Sequence, residues 1–136
     1  MQTAKEFMQA VAKAERELRL IAKRRQHYSE LATSIGVKLS GMPHAGGNTS
    51  RVETGAVAIV DLDDELIKRA EIYKSLVREA DQKIAQIKQD KFREVLTRKY
   101  LCLQSWKTIR DEMDYKDEKS VYRCHGYALR ELQKLL

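Results

Sequence analysis

The sequence predicts an all-α protein in which a long N-terminal helical hairpin, coiled-coil-like in its period, precedes a compact helix-turn-helix domain. Three observations carry that expectation. Two stretches place apolar residues at alternating steps of three and four, the period of a helical seam and not of a strand. A segment holding four of the six glycines and the single proline lies between them. From residue 90 onward the rhythm changes to three shorter helices separated by polar breaks.

The first stretch runs from about Thr3 to Ser34. Phe7, Val11, Ala14, Leu18, Ile21, Tyr28, Leu31 and Ile35 form its series, and Arg25 breaks it once. The second runs from about Val52 to Ile87, through Val52, Ala56, Ile59, Leu66, Ala70, Tyr73, Val77, Ala80, Ile84 and Ile87. One step of it falls on Asp63, with Leu62 beside it. The intervening GVKLSGMPHAGGNTSRVE shows no apolar period and reads as a flexible loop at about 36–51. Two long helices flanking such a loop suggest an antiparallel hairpin over residues 1–89, roughly 45–50 Å long. A parallel dimer through the second helix alone is the competing arrangement. An isolated hairpin buries one seam only, so a second copy or the C-terminal domain is expected to cover the rest.

Residues 90–136 make the second domain. KFREVLTRKYL carries Phe92, Val95, Leu96, Tyr100 and Leu101 on one helical face. CLQS then breaks the helix, and Ser105 is a good N-cap for WKTIRDEM. DYKD forms a short polar turn. Asp117 can cap a final helix, EKSVYRCHGYALRELQKLL, with Val121, Cys124, Ala128, Leu129 and Leu132 inward. Two short helices joined by about four residues have the spacing of a helix-turn-helix.

Composition narrows the function classes. Charged residues make up 34% of the 136, and the formal charge is +6, which favours an anionic partner, nucleic acid first. No run approaches the roughly 20 apolar residues of a membrane span, and the N-terminus lacks the apolar core of a signal peptide; a reducing cytoplasm is the expected location. Cys102 and Cys124, the only cysteines, have no zinc spacing and read as buried free thiols. His27 and His44 lack ligand partners, and His125 reads as a solvated residue near the exposed face of the last helix. Asp61, Asp63, Asp64 and Glu65 cluster on helix two without a nucleophile, a phosphate loop or calcium-loop spacing, so they read as a solvated acidic face. No catalytic function, metal or cofactor is expected.

In a helix-turn-helix the second helix enters the major groove with its N-terminal residues facing base edges. Here that helix opens with Glu118, Lys119, Ser120, Tyr122 and Arg123. Arg and Lys donate to guanine, Glu accepts from cytosine, and Ser or Tyr contacts bases or phosphates. Lys107, Arg110 and Lys116 are placed for flanking phosphates. Lys91 to Leu136 holds eleven basic and seven acidic residues, a local excess of four.

The segment SWKTIRDEMDYKDEKSVYRCHGYALRELQKLL resembles region four of bacterial primary sigma factors, the helix-turn-helix that reads the promoter −35 element. Ser105-Trp106, Ile109, Val121, Ala128-Leu129 and Leu132 match that pattern without a gap. The resemblance implies DNA contacts at Glu118, Lys119, Ser120, Tyr122 and Arg123, and a core made by Trp106, Ile109, Val121 and Leu129. Asp114 departs from it, standing where sigma-like domains often carry glycine. Nearly the full chain also resembles small phage and prophage proteins of Gram-positive bacteria related to the ArpU- and RinA-type late-gene transcriptional regulators. LATSIGVKLSGMPHAGGNTSRVE, Ile59-Val60-Asp61-Leu62 and RKYLCLQSWKTIRDEM carry that likeness. It implies a phage late-gene regulator acting as a dimer on double-stranded DNA, with RNA polymerase as a further partner. A protein adaptor and a small-terminase-like packaging subunit, the latter forming a ring, are the alternatives.

Overall fold

A computed structural model describes residues 2–40 and 46–136, with side chains described outside 34–54. The described chain is built from helices: α1 (Ala4–Ser40), α2 (Gly46–Ala85), α3 (Asp90–Leu96), a π-helical turn (Thr97–Leu101), α4 (Trp106–Glu112) and α5 (Glu118–Gln133). No strand forms among the described residues.

Thr3 and Glu6 start α1 as a reciprocal capping box. The Glu6 N–H donates to Thr3 Oγ1 at 3.1 Å, and the Thr3 N–H donates to Glu6 Oε2 at 3.2 Å. Both long helices outrun their expected ends, because α1 continues to Ser40 and α2 begins at Gly46. The segment read as a loop at about 36–51 is therefore helical on both flanks. A single helical glycine such as Gly36 costs only about 1 kcal/mol relative to alanine, and Val37, Lys38 and Leu39 follow it without a proline. Pro43, the stronger breaker, and His44 fall at 41–45, outside the described residues, as do the side chains of Ile35 and Val52.

The chain divides into two compact units, one formed by Met1–Glu15 with Tyr73–Leu136, the other by Arg16–Ile72. The unit that contains the C-terminal helices thus also takes in stretches that the sequence reading assigns to the hairpin. Its core explains why. Phe7, Met8 and Val11 of α1 and Ala80 and Ile84 of α2 pack with Val95, Leu96, Ile109, Val121 and Leu132 in one buried cluster. A segment of fewer than about 50 residues buries a small share of its surface on folding, and the side chains from α1 and α2 enlarge the core of the three short helices. Each large side chain fully buried here contributes roughly 1.5–3 kcal/mol. The Gln133 side chain accepts the Ala4 N–H at 2.7 Å, and Lys83 Nζ donates to the Leu135 carbonyl at 3.0 Å. Arg93 closes the α2–α3 connection by donating to the carbonyls of Ile87 and Lys88.

In the second unit Ile21 and Leu62 are buried. The Arg25 guanidinium pairs with the Asp63 carboxylate, and Arg69 Nη1 donates to Glu17 Oε2 at 2.9 Å. Rising residue number on α1 thus meets falling number on α2, the order of antiparallel neighbours. Arg25 and Asp63 are the two polar interruptions of the apolar series, and they satisfy each other. Both side chains are more than 40% exposed, so the pair contributes at most about 1 kcal/mol and acts chiefly on register. Among the described residues no helix is long and apolar enough to cross a membrane.

Candidate nucleic-acid interface

The α4–turn–α5 segment is fixed by local backbone chemistry at three points. Ser105 Oγ accepts the Thr108 N–H at 3.2 Å at the start of α4, and Asp117 Oδ1 accepts the Ser120 N–H at 2.9 Å at the start of α5. Between them α4 ends in a left-handed residue, Asp114, at φ 59°. The Tyr115 N–H returns to the Arg110 carbonyl at 3.0 Å and the Asp114 N–H to the Asp111 carbonyl at 3.4 Å, which is the Schellman pattern. Aspartate occupies the position that glycine would hold without steric cost. Tyr115, next in the chain, packs against the core.

A π-helical turn precedes α4. The Cys102 N–H donates to the Thr97 carbonyl at 2.9 Å and the Gln104 N–H to the Arg98 carbonyl at 2.9 Å. Leu103 takes φ 53°, an uncommon value for a bulky residue, and packs against the core. The extra residue rotates the side chains that follow it. Cys102 is consequently exposed and Cys124 alone is buried, which corrects the expectation that both thiols lie inside. Arg98 ties this turn to α4. It donates to Glu94 Oε1 at 2.9 Å and to Gln104 Oε1 at 3.2 Å, and it pairs with Glu112.

Behind the N-terminal half of α5 stands an aromatic cluster. Trp106 meets His125 edge-on at 4.9 Å between centroids and Tyr122 at 5.1 Å. Lys99 Nζ lies 4.1 Å from the Trp106 ring centre. His125 is half-buried and joined to Tyr100 Oη at 2.7 Å through Nε2, so it is not the solvated residue that its position in sequence suggests. Burial, helped by the charges of Lys5 and Lys99, pushes the His125 imidazole down to about 4. Burial pushes the Tyr100 hydroxyl up to about 12. Both are therefore neutral at pH 7, and the Tyr100 hydroxyl and the imidazole Nε2 share one hydrogen bond.

The eight residues expected at DNA fall into four groups. Lys107, Lys116, Lys119 and Arg123 are exposed, and none forms an ion pair among the described residues. Glu118 and Tyr122 hold each other, Tyr122 Oη donating to Glu118 Oε2 at 3.1 Å, and that bond raises the Tyr122 hydroxyl above its ordinary range. Ser120 is committed to the cap, its N–H and hydroxyl both donating to Asp117 Oδ1 at 2.9 Å. Those two bonds, then the charges of Lys119 and Arg123, hold the Asp117 carboxyl below the usual range. Arg110 is turned to Asp111 at 3.0 Å. Trp106 and Leu129 are half-buried against the core, while Ile109 and Val121 are fully inside it.

Two exposed residues escaped the sequence reading, Tyr127 and Arg130, with the Arg130 guanidinium 5.6 Å from the Tyr127 ring centre. The signal was present. Lys119, Arg123 and Arg130 are spaced by four and seven, which sets them on one helical face. Among the described residues no group of three or more His, Cys, Asp or Glu side chains is placed to hold a metal ion. Comparison with protein-family models, curated proteins and solved structures finds no match for the chain.

Proposed function

We propose that this chain is a sequence-specific, double-stranded-DNA-binding transcriptional regulator of the phage late-gene type, using α4 and α5 as a sigma-like helix-turn-helix. The observation that carries the reading is the outward face of α5. It presents Lys119 and Arg123 with no ion-pair partner among the described residues, behind a turn that fixes the entry of the helix. Cations left free on a rigid helix are available to guanine edges and phosphates. Lys107 and Lys116 add exposed charge beside them. In this reading α1 and α2 form an antiparallel hairpin that carries the dimer contact. Exposed Val57, Val60 and Ile67 on α2, each 58–61% accessible, support a surface that a second copy covers.

The test starts by selecting bound fragments from the source genome with purified protein, then measuring affinity for the recovered site. Lys119→Ala and Arg123→Ala should each weaken that affinity by roughly 1–3 kcal/mol while leaving helicity intact. Unchanged affinity in both variants sinks the assignment of the recognition face.

A further inference from the structure

Gly126 sits in the interior of α5 with no local reason to be glycine. Its backbone does not take a positive φ, and a Cβ built there meets nothing within 4 Å. A glycine in mid-helix is less stable than alanine at the same place, so packing and conformation both favour a side chain. The position is exposed. It lies on the face that carries Lys119, Arg123 and Arg130, at helical spacings of seven, three and four from them, and no acidic residue shares that face. Glu118 and Glu131 project to its sides, and Glu131 is paired with Lys134 at 3.0 Å. Arg130 is steadied on the Tyr127 ring. The result is a basic stripe about three turns long with its centre bared to the backbone.

We propose that Gly126 is the point where a strand of duplex DNA comes into van der Waals contact with α5, with Arg123 and Arg130 taking the phosphates on either side. A glycine is used where another backbone must approach closely, and the flanking cations identify that backbone as polyanionic. The inference rests on the reading of α5 as the DNA-binding helix and extends it. Contact runs past the first turn of the helix to Arg130, so the stripe supplies backbone positioning where the helix N-terminus supplies base readout.

The experiment pairs thermal unfolding with fluorescence anisotropy on a labelled duplex that carries the selected site. Gly126→Ala should raise the melting temperature by about 2–4 °C and weaken duplex binding by about fivefold or more, the lower end of what one lost DNA contact costs. A role confined to the fold moves stability and affinity together, so the opposite signs are diagnostic. Gly126→Leu should weaken binding further, and Arg130→Ala should reduce the salt slope by about 1. A Gly126→Ala protein that is more stable and binds as tightly as the parent, while Lys119→Ala binds weakly, overturns the close approach and leaves the recognition helix standing. No duplex binding by the parent protein overturns both.

Discussion

Replacing His125 by asparagine should flatten the dependence of stability on pH between about 6.5 and 4. In the folded chain the imidazole sits between Tyr100 and Trp106, with Lys5 and Lys99 close enough for their charges to oppose its protonation. Its pKa falls to about 4 from an ordinary 6.5. The unfolded chain therefore takes up a proton first as the pH drops. Stability is complete above pH 6.5, declines through the window, and is fully lost from this source below about 4. Between pH 7.5 and 5 the linkage amounts to about 2 kcal/mol for a group wholly shielded from water. The ring is only half-buried, so screening brings the expected loss to about 1 kcal/mol. Urea unfolding followed by circular dichroism at the two pH values, in parent and His125→Asn, isolates this group, because most carboxylates remain ionised at pH 5. Equal losses in the two proteins would refute the burial argument.

Two further predictions concern the frame that presents α5. Asp114→Gly should stabilise the chain by about 0.5–1 kcal/mol in urea unfolding, since glycine removes the steric cost of the left-handed turn residue; destabilisation would mean that the Asp114 side chain holds the turn. Ile109→Ala should cost about 2–5 kcal/mol, because the side chain is 0% exposed at the centre of the core shared by all five helices. Calorimetry showing a much smaller loss would contradict that packing.

What sequence could show of this structure divides along local and non-local lines. Ser105 and Asp117 were legible as caps because a cap is a contact over three residues, and both side chains accept the N–H expected of them. Val121, Cys124, Ala128 and Leu132 were legible as an inward face because helical period alone sets them there, and all four are buried. Asp114 was legible as a turn position where sigma-like domains often carry glycine, and it takes the left-handed conformation there. The π-helical turn was not, since a shift from i+4 to i+5 bonding leaves no mark in residue type. It turns Cys102 outward although the local pattern places it inside. His125 was misjudged because its burial depends on Tyr100, 25 residues away, and on Trp106 across the turn. Arg25 and Asp63 each stood out as a break in an apolar series, yet only the pairing of α1 with α2 shows the two breaks to be one contact. The participation of Phe7, Met8 and Val11 in the core of the C-terminal helices is likewise a tertiary event, written nowhere in the period of α1.

Within the proposed interface, the free cations could be counted from sequence but their availability could not. Arg110 and Arg123 look alike in the chain, and the structure turns the first to Asp111 and leaves the second exposed. Arg130, spaced seven residues beyond Arg123, was available to the same argument and completes the stripe around Gly126.

The most direct test of the central claim is the salt dependence of duplex binding. Lys107, Lys116, Lys119, Arg123 and Arg130 are exposed on this unit, and neutralising five phosphates gives a slope of about −4 to −5 in log affinity against log salt for each helix-turn-helix. Contact through these cations requires that slope for the parent protein on its selected site, and a slope nearer zero by about one for each of Lys119→Ala and Arg123→Ala. A flat salt titration, or duplex affinity too weak to titrate, would contradict it.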